Sequence, residues 1–191
     1  MRSLAALLLA LAAGPAAAEP VSYRLDPSHS FVHFEWPHAG LSTLRGRFDK
    51  TVGRVTLDRE AGSGSGRIEV RLDSVNTGRP ALDAALRQAL GADVAVFDIV
   101  TLRVDGGRVL AARGPLRWAG RQHTLELQAQ HFNCYTSPLF RRQVCGGEFS
   151  ATLDPATLGL DLRAGFGLGA PLVLRVQVEG VRMEAGDEDG S

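Results

Sequence analysis

From residue 21 onward the chain alternates apolar and polar positions with a period of two, the signature of strands with one buried and one wetted face. Leu172, Leu174, Val176 and Val178 interleave with Arg175, Gln177 and Glu179. Ile68, Val70 and Leu72 interleave with Arg67, Glu69 and Arg71, and Leu125, Leu127 and Ala129 with Glu126 and Gln128. The same pattern predicts strands near 21–25, 30–36, 41–48, 52–58, 66–73, 97–104, 108–118, 122–132, 145–153 and 171–180. Asp49-Lys50, the run Gly62-Ser63-Gly64-Ser65-Gly66 and Gly106-Gly107 read as hairpin loops between them. One segment departs from period two. From Arg79 to Leu90, Pro80 stands early and Leu82, Ala85, Leu86 and Ala89 recur at helical spacing, which predicts a short inserted helix.

So many antiparallel strands exceed what one flat sheet holds. They must bury their apolar faces and remove their edges, either by closing into a barrel or by stacking two sheets. A barrel of about eight strands leaves an interior wide enough for one small ligand. A sandwich with a filled core, built to bind a partner, is the alternative.

The N-terminus changes the picture of where the chain works. Arg2, the apolar run Leu4–Ala13 and the small residues Ala16-Ala17-Ala18 form a secretory signal peptide, cut after Ala18. Its apolar core is too short for the ~20 residues that cross a bilayer, and no later segment is apolar for long enough. The expected organisation is a signal peptide over 1–18, one domain over 19–183 and a disordered acidic tail over 184–191. Basic and acidic residues balance at 21 each and do not gather into a patch, which argues against nucleic acid as a partner. In an exported chain, the two cysteines Cys134 and Cys145 are expected to form a disulfide, with an unpaired buried couple and a metal pair as weaker readings.

Candidate chemistry is sparse. His29, His33 and His38 invite a metal reading, but along one strand His29 and His33 lie roughly 13 Å apart, whereas zinc ligands sit at ~2 Å. Asp26, Ser28, His29 and Ser30 could be written as a triad, yet neighbours in a strand point to opposite faces. No nucleophile elbow, P-loop or dinucleotide fingerprint is present. The aromatic residues Phe31, Phe34, Trp36, Phe48, Phe97, Trp118, Phe132, Phe140 and Phe149 fall mostly in strands. They either fill a core or line a cavity.

Two N-terminal segments are more specific: Tyr23-Arg24-Leu25-Asp26-Pro27-Ser28-His29-Ser30, and His38-Ala39-Gly40-Leu41-Ser42-Thr43-Leu44-Arg45-Gly46-Arg47-Phe48. With Val52-Gly53, Val55-Thr56-Leu57-Asp58, Asp73-Ser74-Val75-Asn76-Thr77-Gly78 and Arg113-Gly114-Pro115-Leu116-Arg117-Trp118-Ala119-Gly120, they resemble the YceI-like family of periplasmic proteins, in order and spacing across most of the mature chain. The resemblance implies an all-β fold, an antiparallel lipocalin-like β-barrel of about eight strands with one short inserted α-helix. It also implies a lumen that holds a polyisoprenoid or isoprenoid quinone, without catalytic residues or cofactor. The segment from Asn133-Cys134 to Cys145-Gly146 looks like a branch of the family in which two cysteines bridge neighbouring strands. Two segments depart from the family pattern, Leu153-Asp154-Pro155-Ala156-Thr157-Leu158-Gly159 and Val96-Phe97-Asp98-Ile99.

The expected ligand-binding residues are Val32, Phe34, Trp36 and His38, Leu116 and Trp118, Leu125 and Leu127, and Leu174 and Val176. A slip of one residue would put Phe31 and His33 on the lumen instead. The expected ligand is a long-chain isoprenoid lipid or quinone, met in the periplasm without permanent membrane insertion, by a monomer or a homodimer. A rival reading is a metal-dependent secreted enzyme using His29, His33, His38 and His123.

Overall fold

The computed structural model describes residues 19–91, 93–158, 160, 167–169, 171–184 and 186–187. The signal peptide expected over 1–18 lies outside the described residues, as does most of the acidic tail. Twelve strands are described: β1 (Val21–Leu25), β2 (Phe31–His38), β3 (Ser42–Phe48), β4 (Thr51–Asp58), β5 (Ser63–Arg71), β6 (Val75–Asn76), β7 (Val94–Ile99), β8 (Thr101–Asp105), β9 (Arg108–Trp118), β10 (Arg121–Thr136), β11 (Gln143–Leu153) and β12 (Leu172–Arg182). One helix, α1 (Pro80–Leu90), interrupts them, and short 3-10 turns occupy Leu72–Ser74 and Pro155–Leu158.

All pairings between these strands are antiparallel, in the order β1-β4-β5-β7-β9-β10-β11-β12, with β8 continuing beside β9 where β7 ends. Pairing of β1 with β12, from Tyr23 opposite Arg182 to Leu25 opposite Gly180, closes the ring. The result is a closed eight-strand barrel and not a sandwich, so no long edge remains in that ring for another chain to extend. The other half of β12, Val173–Gln177, pairs with β2, which carries β3 and the two-residue β6. The wall therefore divides after Leu25 and flares at one end.

Helix α1 covers the flared end. Pro80 begins it, where a missing N–H costs nothing, and Gly91 follows it at φ +79°, a left-handed position that suits glycine. Leu86 is only 2% exposed and packs with Phe34, Trp36, Val75 and Leu168. Two polar contacts fix the helix. Buried Asp83 accepts bonds from Thr77 N (2.7 Å) and Oγ1 (2.6 Å), and Arg87 Nε donates to Asp73 O at 2.9 Å. The connection after β11 completes the cover, because Leu158 and Leu168 are buried in the same cluster.

Three strand expectations need correction. Ser63–Gly66, expected as a loop, belongs to β5. A Cβ on Gly64 would lie 2.5 Å from Leu102 Cδ1, and one on Gly66 2.8 Å from Arg54 O. These glycines serve close approach of chains. The single strand expected over 97–104 is two, broken at Val100, which is 64% exposed while its N–H donates to Arg113 O. Finally, β10 runs on to Thr136 and shifts register between Ala129 and His131. That bulge moves the inward face from odd to even residues, from Leu127 to Phe132.

Candidate functional site: a two-chamber apolar lumen

The inward faces do not fill the barrel. Two chambers lie along its axis, of about 70 and 130 Å³ counted as room for the centres of water molecules. One water needs ~10–15 Å³ on that scale, so each chamber could hold several. The narrower chamber lies among Tyr23, Leu57, Ile99, Leu102, Val109, Ala112, Phe132, Cys145 and Phe149. The wider one lies beneath α1. It is lined by Val32, Phe34, Trp36, Phe48, Leu86, Leu90, Phe97, Leu116, Trp118, Leu125, Leu158 and Leu174 among others, and among the described residues every lining side chain is apolar. Ile68, Leu127 and Val176 line both chambers and mark a waist between them.

Even the polar atoms of the wider chamber are spoken for. Trp36 Nε1 donates to Gly169 O, and Trp118 Nε1 to Leu90 O at 3.3 Å, so each indole turns its apolar ring to the lumen while anchoring a covering segment. In the narrower chamber Tyr23 turns its hydroxyl to Gln143 Oε1 at 2.6 Å, and burial pushes its phenol pKa above the ordinary value. The chambers therefore offer water almost no partner, and a space of this kind takes apolar molecules.

Nine of the residues singled out in the sequence come together around the wider chamber: Val32, Phe34, Trp36, Leu116, Trp118, Leu125, Leu127, Leu174 and Val176. His38 does not. It is exposed at the end of β2, where it pairs with Leu168 of the covering connection. The alternative phase fails, since Phe31 and His33 lie outside the wall, with Arg47 over the Phe31 ring at 4.3 Å. Sequence reasoning missed the narrower chamber, although Tyr23-x-Leu25 and Val55-x-Leu57 carried its alternation. It also missed the cover residues Leu86, Leu90, Leu158 and Leu160, which lie outside any period-two pattern.

The histidines do not converge. His29 Nδ1 is 2.8 Å from Asp26 Oδ2 on the surface, His33 faces the outside of β2, and His123 lies on β10 opposite Leu116. Among the described residues, no three His, Cys, Asp or Glu side chains are grouped to hold a metal ion. The hydrogen bond that His29 Nδ1 donates to the Asp26 carboxylate raises the His29 pKa. Burial, with the Arg47 guanidinium nearby, lowers that of His33. Asp26 itself is pushed up by burial, but the bonds from His29 and Ser28 prevail and hold it below the ordinary value. Cys134 and Cys145 stand opposite each other on β10 and β11 and form a disulfide, with Cα atoms 4.1 Å apart.

The closed barrel, its covering helix and its apolar lumen are accompanied by a match over residues 23–180 to the model of the YceI-like domain. The chain belongs to the YceI-like family. A relative from Delftia acidovorans, a UPF0312 protein, is 43% identical over 56 residues, which make up 28% of this chain and 88% of that one. Among solved structures, the YceI-like barrel resembles a polyisoprenoid-binding domain from Saccharophagus degradans at TM-score 0.57 and 20% identity, covering 86% of this chain and 99% of that one. BcnA of Burkholderia cenocepacia aligns at TM-score 0.58 and 15% identity, covering 81% and 98%. The YceI protein of Campylobacter jejuni aligns at 0.61 and 15%, covering 75% and 88%. At these identities the structural likenesses speak for the fold alone.

Proposed function

We propose that this YceI-like protein holds a polyisoprenoid or an isoprenoid-quinone tail in its lumen, as a carrier or binding protein of the periplasm, and performs no chemistry on it. The observation that carries this reading is the wider chamber, whose lining is apolar throughout and continues past a waist into a second apolar chamber. An elongated hydrocarbon fits two chambers in series better than a compact ligand does. Each Å² of its apolar surface taken from water is worth ~25 cal/mol. The solved polyisoprenoid-binding domain of the same fold supports the chemical class. The leader read over 1–18 and the Cys134–Cys145 disulfide support an oxidising compartment. Binding without catalysis is the reading that the solved polyisoprenoid-binding domain of the same fold favours.

The test is organic extraction of protein purified from a periplasmic fraction, followed by mass spectrometry. A series of masses differing by isoprene units is expected, and an added isoprenoid quinone should quench Trp36 and Trp118 fluorescence from within the wider chamber. Recovery of no long apolar molecule, together with unchanged fluorescence, would overturn the reading. Stoichiometric zinc or iron in the purified protein would overturn its non-enzymatic part.

A further inference from the structure

The β10–β11 hairpin ends in Ser137-Pro138-Leu139-Phe140-Arg141-Arg142, and its two apolar residues face outward, Leu139 82% and Phe140 42% exposed. The turn that presents them is well held. Ser137 N donates to Arg142 O at 2.9 Å, Arg141 N to Ser137 O at 2.8 Å, and Phe140 N to Ser137 Oγ at 3.3 Å. Below it the Cys134–Cys145 disulfide ties the two strands together. An exposed Leu-Phe pair on a fixed turn is a standing cost in water that collapse of the loop does not relieve.

We infer that this tip inserts Leu139 and Phe140 into the interfacial layer of a lipid bilayer. Three features favour a bilayer over a protein. A protruding pair of side chains is far smaller than the ~1,200 Å² that a stable protein interface buries, whereas lipid deforms around a convex tip without a complementary surface. The flanking residues suit headgroup depth: Tyr135 is half exposed on the outer face below the tip, and Arg141 is exposed with no ion pair among the described residues. Arg142 adds little attraction, because Glu184 at 3.2 Å and Asp187 pair with it. Insertion therefore depends on the apolar pair more than on net charge.

The third feature is position. Phe132, Cys145 and Gly146, at the base of the same hairpin, form part of the narrower chamber's wall. The tip stands over that end of the lumen, where a hydrocarbon chain passing between bilayer and barrel would find the shortest path through water. The purpose of the contact rests on the carrier reading above, but the contact is measurable without any lumen ligand.

The experiment is co-flotation of the mature protein, residues 19–191, with vesicles of phosphatidylethanolamine and phosphatidylglycerol. Alongside it run L139S/F140S and L139W, with circular dichroism melts to verify folding and sedimentation velocity without vesicles. The native protein should float, and the double serine variant should lose at least tenfold in partitioning while melting as a folded protein. On binding vesicles, the emission of the indole introduced by L139W should shift to the blue and be quenched by brominated lipid. Failure of the native protein to float, or equal flotation of the folded double variant, would overturn the inference. So would self-association of the native protein that the double variant abolishes, since the tip's occupant would then be a second copy. Extraction that yields no lipid while flotation depends on the tip would sink the carrier reading and leave this one standing.

Discussion

Gly46 of β3 stands directly opposite Phe34 of β2, and the Phe34 ring occupies the space that a side chain on Gly46 would take, with Cε1 3.0 Å from the position of a Cβ. A wall position is left without a side chain so that an aromatic ring can occupy its space and still line the wider chamber. Replacing Gly46 by alanine should push the ring off its place and cost about 1–3 kcal/mol, the usual range for overpacking. Denaturant unfolding of G46A, F34A and G46A/F34A would check it. Strong non-additivity is expected, because the two positions share one space.

Val176 offers a test of the waist. It lines both chambers with Ile68 and Leu127, so V176F narrows the passage without adding a polar group. Isoprenoid quinones with long tails should lose affinity by tenfold or more, whereas short-tailed ones that fit the wider chamber alone should bind nearly as before. Equal losses for short and long chains, measured by quenching of Trp36 and Trp118, would contradict the two-chamber account.

The β9–β10 turn carries Ala119 at φ +49° and Gly120 at φ +71°, the left-handed pair of a tight hairpin. Alanine there is strained by roughly 1–2 kcal/mol, and asparagine tolerates the conformation better. A119N should raise the melting temperature by about 2–4 °C for a domain of this size. A fall in melting temperature would show that the alanine methyl has a packing role.

Reduction of the disulfide has a separate expectation. Cys134 and Cys145 are 11 residues apart in sequence, and opening such a loop should cost roughly 2–4 kcal/mol. The melt of the reduced protein and that of C134S/C145S should agree with each other and lie below that of the oxidised protein. The hairpin is also the part of the wall that extends past the ring, so its amides should lose hydrogen-exchange protection before those of β12 do.

The surface histidines should titrate in a fixed order by NMR, His29 above 6.5 and His33 below it. D26N should bring His29 down, and R47Q should raise His33. The sign for stability follows from the shifts. The raised His29 stabilises the fold fully below pH 6.5, and that contribution fades as pH rises through its folded pKa. The lowered Asp26 contributes above its unfolded value of 3.8, and loses that as pH falls through its folded one. Their pairing helps most between these limits, and only modestly, since His29 is exposed to solvent.

Alternation made most of the barrel legible, because each strand has one wet face and period two records it directly, as in Leu172 to Val178. What escaped was whatever breaks the period. The Ala129–His131 bulge reverses the phase so that Phe132 faces the lumen, and Val100 does the same between Ile99 and Leu102. Neither leaves a mark in composition. Gly64 and Gly66 read as a loop because a glycine required by a crowded neighbour looks the same as one that frees a turn. The wider chamber was legible in nine wall residues, yet its cover was not, since Leu86 and Leu158 reach it from a helix and a connection whose placement depends on the whole fold. His38 departs from expectation at a strand end, where the wall stops and facing no longer follows parity.

The waist at Ile68, Leu127 and Val176 also bears on time. On the proposed reading, a tail seated in both chambers withdraws lengthwise past these three side chains, so each added isoprene unit lengthens the path of exit. Selection by length should then appear chiefly as residence time, with short chains exchanging freely and long ones held until something draws them out.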